Sequence, residues 1–375
     1  MPQPLISIII SVYNQERFLA EALESACTQS YNNLDIVLIN DGSTDGTEAI
    51  CKEYASRDQR ICYIAQKNSG LSAAWNLGVR ACRGEYICFL DSDDLFAPDK
   101  VERCLELFYA DLAIDILYHS AVVINAEGHI IGKKTGMDFS KENLLAFLFF
   151  RNLLLPSAFI AKRSCLARHP FNEAFPLYGG EYDLFLRLAH QYTIRYIDIP
   201  LLFYRRHSQN ASGSRAVTRR FELAVLQQYS LEHIAEIIAQ SNFAPAHKLL
   251  MHAKILFNKE EYARAKALLE QQKGGEALFY LANCTMLLGG DAAAAWPLYH
   301  QALEAGYENG ACWNNYGVAL ATIGRREEAK ECFAKALLLR ADYMDARQNT
   351  SLLDAPEKMA LTLRELREEL ISYTE

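Results

Sequence analysis

Tyr86-Ile87-Cys88-Phe89-Leu90 runs directly into Asp91-Ser92-Asp93-Asp94. A short apolar run rich in aromatic and β-branched residues, stopped by a polar cluster, reads as a buried strand that ends at a sheet edge and delivers carboxylates there. Working outward, the upstream chain repeats the shape three times. Ile6 to Val12 ends in Ser11-Val12-Tyr13-Asn14, Asp35 to Asn40 leads into Asp41-Gly42-Ser43, and Ile61 to Ala65 is followed by Asn68-Ser69-Gly70. Helical patterns lie between them, at Glu16 to Cys27, Asp45 to Ala55 and Leu71 to Ala81. Strands alternating with helices predict an α/β domain, a mainly parallel Rossmann-like sheet flanked by helices. Ligands of such sheets gather outside the carboxyl ends of the strands, where these polar clusters fall.

At 375 residues and 51% hydrophobic content the chain has material for two packed domains. A net charge of −8 argues against a general nucleic-acid binder, whose phosphate affinity comes from accumulated Lys and Arg. Ten cysteines are scattered without a CxxC pair or zinc-finger spacing, which reads as buried thiols in a reducing cytoplasm. Met1-Pro2-Gln3-Pro4 lacks the basic region and long apolar run of a secretory signal, so a cytoplasmic location is expected. The apolar stretch Leu144 to Ile160 is interrupted by Arg151, Asn152 and Pro156, too soon for a spanning helix. Its segment Leu144 to Phe150 is expected to be a core helix, with peripheral membrane contact as the alternative.

Beyond Asp115 the pattern predicts a strand over Asp115 to Ile124, a hairpin at Glu127-Gly128, a helix from Lys141 and a mixed region to Tyr204, together forming the acceptor side. From Arg215 strand signals vanish. Phe279, Asn283, Met286, Gly290, Ala295, Tyr299 and Ala302 align with Trp313, Gly317, Leu320, Gly324, Ala329, Phe333 and Ala336 at a period of about 34 residues, that of a tetratricopeptide-like helical pair. Ala253, Leu256, Tyr262 and Ala265 mark a shorter preceding copy, and Met359 to Tyr373 is expected to form a capping helix. The domain boundaries expected are therefore 1–214 for the α/β domain, 215–243 for a connecting helix and 244–375 for an all-α repeat domain.

Asp91 and Asp93 can hold a hard divalent ion, and Mg²⁺ or Mn²⁺ in turn binds diphosphate oxygens. Asp41 can accept the N3–H of a uracil or thymine, or it can simply turn the chain and cap the next helix. Tyr13 can stack on a base or pack as an ordinary strand-end aromatic.

Taken together, Ser7 to Tyr13, Leu38 to Asp45, Asn68 to Gly78 and Gly84 to Asp94 resemble glycosyltransferase family 2, over roughly the first 215 residues. The resemblance implies a GT-A fold, a nucleotide-sugar donor, a UDP-sugar foremost, and inversion at the anomeric carbon. It places Tyr13 and Asp41 at the base, Asp91 at the ribose and diphosphate and Asp93 at the metal, with Ser11, Asn14, Asn68 and Gly70 lining the donor site.

Inverting transfer needs a base for the acceptor hydroxyl. Family members usually carry Glu-Asp, an aromatic, and Asp or Glu at the start of a helix, whereas this chain reads Gly180-Glu181-Tyr182-Asp183. Glu181 falls on the usual catalytic Asp and Gly180 on the usual Glu, so the base is Glu181 or, two residues on, Asp183. The alternative is that these acids only stabilise the helix N-terminus. The segment Tyr204 to Ser212 resembles the part of the family that closes over the donor, implying His207 as a metal ligand and Arg205, Arg206 or Arg215 beside the diphosphate. Two acceptors stay open, a peptide or protein side chain and a surface glycan, and the repeats can serve a partner or a homodimer. A rival reading from another class is an inactive scaffold that displays the repeats, for which the Gly180-Glu181 departure is the best support.

Overall fold

The strand β1 (Ile6–Val12) is buried along its whole length, as a central strand covered on both faces must be. Chain order continues through α1 (Leu19–Cys27), β2 (Leu34–Asn40), α2 (Thr47–Arg57), β3 (Ile61–Ala65), α3 (Leu71–Ala81), β4 (Tyr86–Asp91), β5 (Leu95–Phe96), α4 (Lys100–Ala110), β6 (Ile116–His119), β7 (Ala121–Ile124) and β8 (Ile130–Lys134). Then follow α5 (Lys141–Phe150), β9 (Phe159–Lys162), α6 (Arg163–Ala167), α7 (Gly180–Gln191), β10 (Ile194–Ile197), β11 (Leu202–Arg205) and α8 (Arg215–Gln227). The computed structural model describes residues 3–175, 177, 179–208, 210 and 215–363, excepting the side chains of 215–217.

Seven strands form one sheet in the order β10-β6-β9-β4-β1-β2-β3. All neighbours pair in parallel except β9, which is antiparallel to both β4 and β6. Ile6, Ile8 and Ile10 pack with Leu19 and Leu23 of α1 and Val101 and Leu105 of α4. Ile9 meets α3 instead, where a Cβ on Gly78 would come within 2.4 Å of its Cγ2. That close approach seats α3 flat on the sheet. A network on Asp35 ties the other end of the strands. Its Oδ2 accepts from the Ser7 hydroxyl at 2.8 Å and the Arg83 N–H at 2.9 Å, and its Oδ1 faces the Arg83 guanidinium at 2.7 Å.

The strand expected over Asp115 to Ile124 is in fact two. β6 joins the large sheet, while β7 enters a second, four-stranded sheet ordered β5-β11-β7-β8. The break falls at Ser120, whose N–H donates to Ile197 and whose carbonyl accepts from Leu201. The apolar run continues across it, so side-chain pattern alone carries no sign of the change of sheet. The hairpin at Glu127-Gly128 joins antiparallel β7 and β8, with Gly128 at φ +85°.

In α5, Ser140 caps the helix by accepting the Asn143 N–H, and Leu144, Leu145, Ala146, Leu148, Phe149 and Phe150 are all buried. The apolar surface weighed for membrane contact is thus spent inside the domain. Among the described residues no helix is long and apolar enough to cross a membrane. The ten cysteines are free thiols.

The chain divides into two compact units, Met1–Gln228 and Tyr229–Glu375. The second is helical, comprising α9 (Leu231–Gln240), α10 (Pro245–Asn258), α11 (Tyr262–Leu269), α12 (Gly275–Gly289), α13 (Ala292–Glu304), α14 (Gly310–Thr322), α15 (Arg326–Leu339) and α16 (Met344–Ser351). Ala253, Ala265, Phe279, Ala295, Tyr299, Ala302, Ala329 and Phe333 form one buried core, joined by the half-buried Tyr262. Gly317 lets α15 approach, since a Cβ there would lie 2.6 Å from the Phe333 ring. The segment expected to begin a capping helix at Met359 is not helical over Met359 to Leu363. It is held by asparagine side chains instead, and the rest of that expected helix lies outside the described residues.

Candidate active site

Parallel pairing brings the carboxyl ends of β1, β2, β3 and β4 to one edge, and the register sets Ser11 of β1 opposite Asp91 of β4. Asp91 is bracketed by Ser157: its N–H donates to Ser157 Oγ at 2.9 Å and its Oδ2 accepts from that hydroxyl at 3.0 Å. Burial, then the charge of Asp93 and further that of Glu181, push the Asp91 carboxyl up to about 7.

Asp93 meets His207 across the small sheet. Its Oδ2 lies 3.0 Å from His207 Nε2 and 3.1 Å from Asn210 Nδ2, and the imidazole packs 4.6 Å from the Phe18 ring. Asp94 turns inward, with Oδ1 accepting the Arg205 N–H at 2.9 Å and Oδ2 buried without a partner. Burial, reinforced by Asp93 and Asp91, raises its carboxyl well above the ordinary range. Among the described residues no three His, Cys, Asp or Glu side chains close into a complete metal cage.

Arg205 does not face a diphosphate. It is 1% exposed, with Nη2 donating to Glu21 at 2.6 Å, Nε to the Asp93 carbonyl at 2.9 Å and Nη1 to the Ala126 carbonyl at 3.0 Å. Its guanidinium also lies 4.9 Å from the Phe18 ring centroid. These contacts make it a brace behind the acidic loop, correcting the expectation that it touches the donor. Arg206 donates to the Tyr204 hydroxyl at 3.4 Å, and the side chain of Arg215 lies outside the described residues.

Asp41 organises the loop after β3. Its Oδ1 accepts from Gln66 Nε2 at 2.7 Å and the Ser69 N–H at 2.8 Å, and its Oδ2 accepts the Gly70 N–H at 2.9 Å. Gly42 (φ +76°) fits beneath Asn68, where a Cβ would lie 2.6 Å from the Asn68 nitrogen. Asn14, at φ +51°, accepts the Thr44 N–H at 2.8 Å and donates its own N–H to Ser43. Tyr13 stands 48% exposed beside this loop cluster. The Ser11 hydroxyl is buried without a partner.

Glu181 and Asp183 open α7 but differ in surroundings. Asp183 is buried and paired with Arg187, Nε to Oδ2 at 2.9 Å, while Arg187 also donates to the Pro170 carbonyl. Glu181 has a carboxyl raised by burial, against which the N–H groups of Glu181 and Gly179 pull it down. The glycine at the preceding position has a steric cause, because a Cβ on Gly180 would come 2.2 Å from Ser72 Oγ. That hydroxyl donates to the Phe175 carbonyl at 2.7 Å.

Three residues escaped the sequence reading. Lys100 is fully buried, donates Nζ to the Ser157 carbonyl at 2.5 Å and lies 3.6 Å from the Phe96 ring centroid. Burial lowers its ammonium to about 8. Ser157 transmits that anchorage to Asp91, and Asn210 orients Asp93. A lysine on the same helical face as Val101, Cys104, Leu105 and Phe108 was the available signal for the first. Ser157 and Asn210 had none.

Residues 7–170 match Glycosyl transferase family 2. A chondroitin synthase of Escherichia coli is 34% identical over 212 residues, which are 56% of this chain and 30% of that protein, so this chain spans under a third of its length. An uncharacterised glycosyltransferase of Rickettsia typhi is 30% identical over 272 residues, 70% of this chain and 82% of that protein. Among solved structures, S. aureus TarS 1–349 in complex with UDP shares the fold with a TM-score of 0.51 at 16% identity, over 85% of this chain and 91% of that one. With a family match that spans β1 to β4 and the loops at their ends, and a relative matched along most of its length, this chain belongs to glycosyltransferase family 2.

Proposed function

We propose that the enzyme moves a sugar from a nucleotide diphosphate, UDP foremost, to a nucleophilic acceptor with inversion at the anomeric carbon. The observation that carries this reading is the pairing of Asp93 with His207 at the strand ends, with Asp91 beside them and Glu181 near enough to raise the Asp91 carboxyl. The donor set fits a divalent ion. Two neighbouring ligands of an octahedral ion at about 2.1 Å stand about 3.0 Å apart, the separation of Asp93 Oδ2 and His207 Nε2. Such an ion also offsets the mutual repulsion of the acids. Mg²⁺ or Mn²⁺ held by Asp93 and His207, with Asp91 alongside, would supply Lewis-acid stabilisation of the departing diphosphate.

The chain's own residues do the rest. Tyr13 offers an exposed ring for the base, and Asp41, fixed by Gln66, Ser69 and Gly70, retains lone-pair capacity on Oδ2 for an N3–H. Ser11, Asn14, Asn68 and Gly70 line the donor cleft, with Arg206 as the cation beside it. Glu181 takes the acceptor proton, its burial keeping the carboxylate basic enough for the work. Asp183, committed to Arg187, holds the helix start in place. The UDP complex of S. aureus TarS, which shares the fold, supports a UDP donor. The helical unit, read as tetratricopeptide-like repeats, presents either a peptide or protein acceptor or a glycan acceptor, or joins two copies, in a cytoplasmic enzyme.

The test is release of nucleoside diphosphate from a panel of nucleotide-sugars with Mg²⁺, with Mn²⁺ and with chelator. Chelator-sensitive release from one donor is the expected result. Absence of both turnover and metal-dependent UDP binding would sink the reading and leave a scaffold.

A further inference from the structure

His119 is the last residue of β6 and is 4% exposed, yet the donor site leaves it without a task. Its Nδ1 lies 2.9 Å from the Ser120 carbonyl, an oxygen that can only accept, so Nδ1 carries the ring proton. Burial and the charge of Lys100 both disfavour a second proton. Nε2 is therefore a lone-pair acceptor, and it is buried without a partner. A buried polar atom is costly until a partner satisfies it.

The same ring lines a slot of about 240 Å³, mouth included, with room at its floor for about one water-sized group. Ala121, Leu155 and Ala158 give it apolar walls. Another wall is fixed by close packing. A Cβ on Gly136 would lie 2.7 Å from the Tyr118 ring and 2.8 Å from the Tyr196 ring. Those rings pack 4.9 Å apart between centroids, and the Tyr118 hydroxyl donates to the Met137 carbonyl.

The slot opens on the side of Asp91 away from the nucleotide loops. β4 and β6 are each antiparallel to β9, so they run in the same direction and end at one edge. Two strand spacings, about 10 Å, separate them. The loops of Tyr13, Asp41 and Asn68 follow β1, β2 and β3, which lie beyond β4 in the sheet order. The chain that walls the slot at Leu155 descends from α5, and α5 is fastened to the helix of Glu181, where the Tyr182 hydroxyl donates to the Leu148 carbonyl at 2.6 Å.

We propose that this slot is an acceptor subsite: it takes one hydroxyl of a neutral sugar unit adjoining the unit whose hydroxyl reacts, and His119 Nε2 accepts a hydrogen bond from it. The inference rests on the sugar-transfer reading above and narrows its acceptor to a glycan. The floor selects by charge. A carboxylate or phosphate has no proton to donate to Nε2, and Lys100 beside the ring repels an ammonium group. A glycan carries hydroxyls on the units beside its reacting one, whereas a peptide would need a second hydroxyl side chain at the right spacing.

The test uses full-length protein, with and without UDP and Mn²⁺, and a panel of methyl β-glucoside, methyl β-galactoside, lactose, cellobiose and chitobiose. Saturation-transfer NMR reads the binding of each. At least one disaccharide should bind, and more tightly than the single-unit glycosides, because only a second unit reaches the slot. His119→Leu should weaken that binding about tenfold, the worth of one hydrogen bond to a buried acceptor. His119→Gln, which restores an acceptor, should weaken it less than threefold. UDP affinity by calorimetry should stay within twofold of the wild type in both variants. Saccharide binding that is equal in the wild type and His119→Leu overturns the proposal and leaves the ring holding a water only. UDP affinity that falls together with saccharide binding also overturns it, since the donor would then occupy the slot. So does a protein that binds UDP with metal and no saccharide. Loss of metal-dependent UDP binding in the wild type would instead sink the transferase reading, and the titrations without UDP keep the two failures apart. Should neither variant fold, a crystal structure of the wild type soaked with the same disaccharides decides: a sugar hydroxyl on His119 Nε2 supports the proposal, and a saccharide seated elsewhere overturns it.

Discussion

His207 Nε2 and Asp93 Oδ2 sit 3.0 Å apart although 114 residues separate them along the chain. The contact depends on β11 pairing beside β5, which returns the chain to the loop that carries Asp93. Asn210 closes the same corner, donating to Asp93 at 3.1 Å and to the Arg205 carbonyl at 3.1 Å. Donor binding that relies on this pair must rely on a cation too. Asp93→Ala is expected to abolish metal-dependent UDP binding, and His207→Ala to weaken it by about 10- to 100-fold. Titration calorimetry with and without Mn²⁺ is the check, and full binding by Asp93→Ala would remove Asp93 from the site.

The two acids at the start of α7 should part company under mutation. Glu181→Gln keeps shape and removes basicity, so kcat should fall by about 10²- to 10⁴-fold while UDP binding holds. Asp183→Asn breaks the partly buried pair with Arg187 and should lower the melting temperature, with a smaller effect on kcat. Steady-state kinetics beside thermal melts separate these outcomes. Unchanged turnover in Glu181→Gln would move the base elsewhere.

What could be read from the sequence follows from where each constraint acts. The strands β1 to β4 and the acids after β4 are local, since apolar runs and the polar clusters that stop them lie next to each other in the chain. Arg205 reads as a diphosphate ligand because its segment resembles the part of the family that closes over the donor, and only the packing of Glu21, Phe18 and Ala126 around it makes it a brace. Ser157 acts on Asp91 from across the sheet, a pairing set by antiparallel β9 that no local pattern announces. The tail misled for the opposite reason. Met359, Leu361 and Leu363 alternate with period two, a strand signal that the helical composition around it obscured.

Removing the brace should cost stability first. Arg205→Ala strips three acceptors of their donor and leaves the Asp93 and Ala126 carbonyls without that partner in a part-buried corner, a loss of about 2 kcal/mol. Because one of those carbonyls belongs to Asp93, metal affinity should weaken in the protein that remains folded. Denaturant melts and Mn²⁺ titration on the same preparation test both parts. A variant of wild-type stability would mean that the corner repacks.

The Asp35 network makes a prediction in pH. Burial pushes this carboxyl up, but the Arg83 N–H, its guanidinium and the Ser7 hydroxyl outweigh that and hold it below its ordinary value of 3.8. A carboxylate depressed on folding adds stability that is complete above its unfolded pKa and fades as pH falls through the folded one. Arg83 is largely exposed, so solvent screens the ion pair and the hydrogen bonds carry most of the effect, about 1 to 2 kcal/mol in all. Asp35→Asn should therefore be less stable than the wild type by that amount at neutral pH, and the gap should narrow as pH drops below the ordinary carboxylate value. Urea melts of both proteins across the acid range measure it. A gap that stays constant to strongly acidic pH would assign the loss to packing, and one that widens would reverse the sign of the linkage.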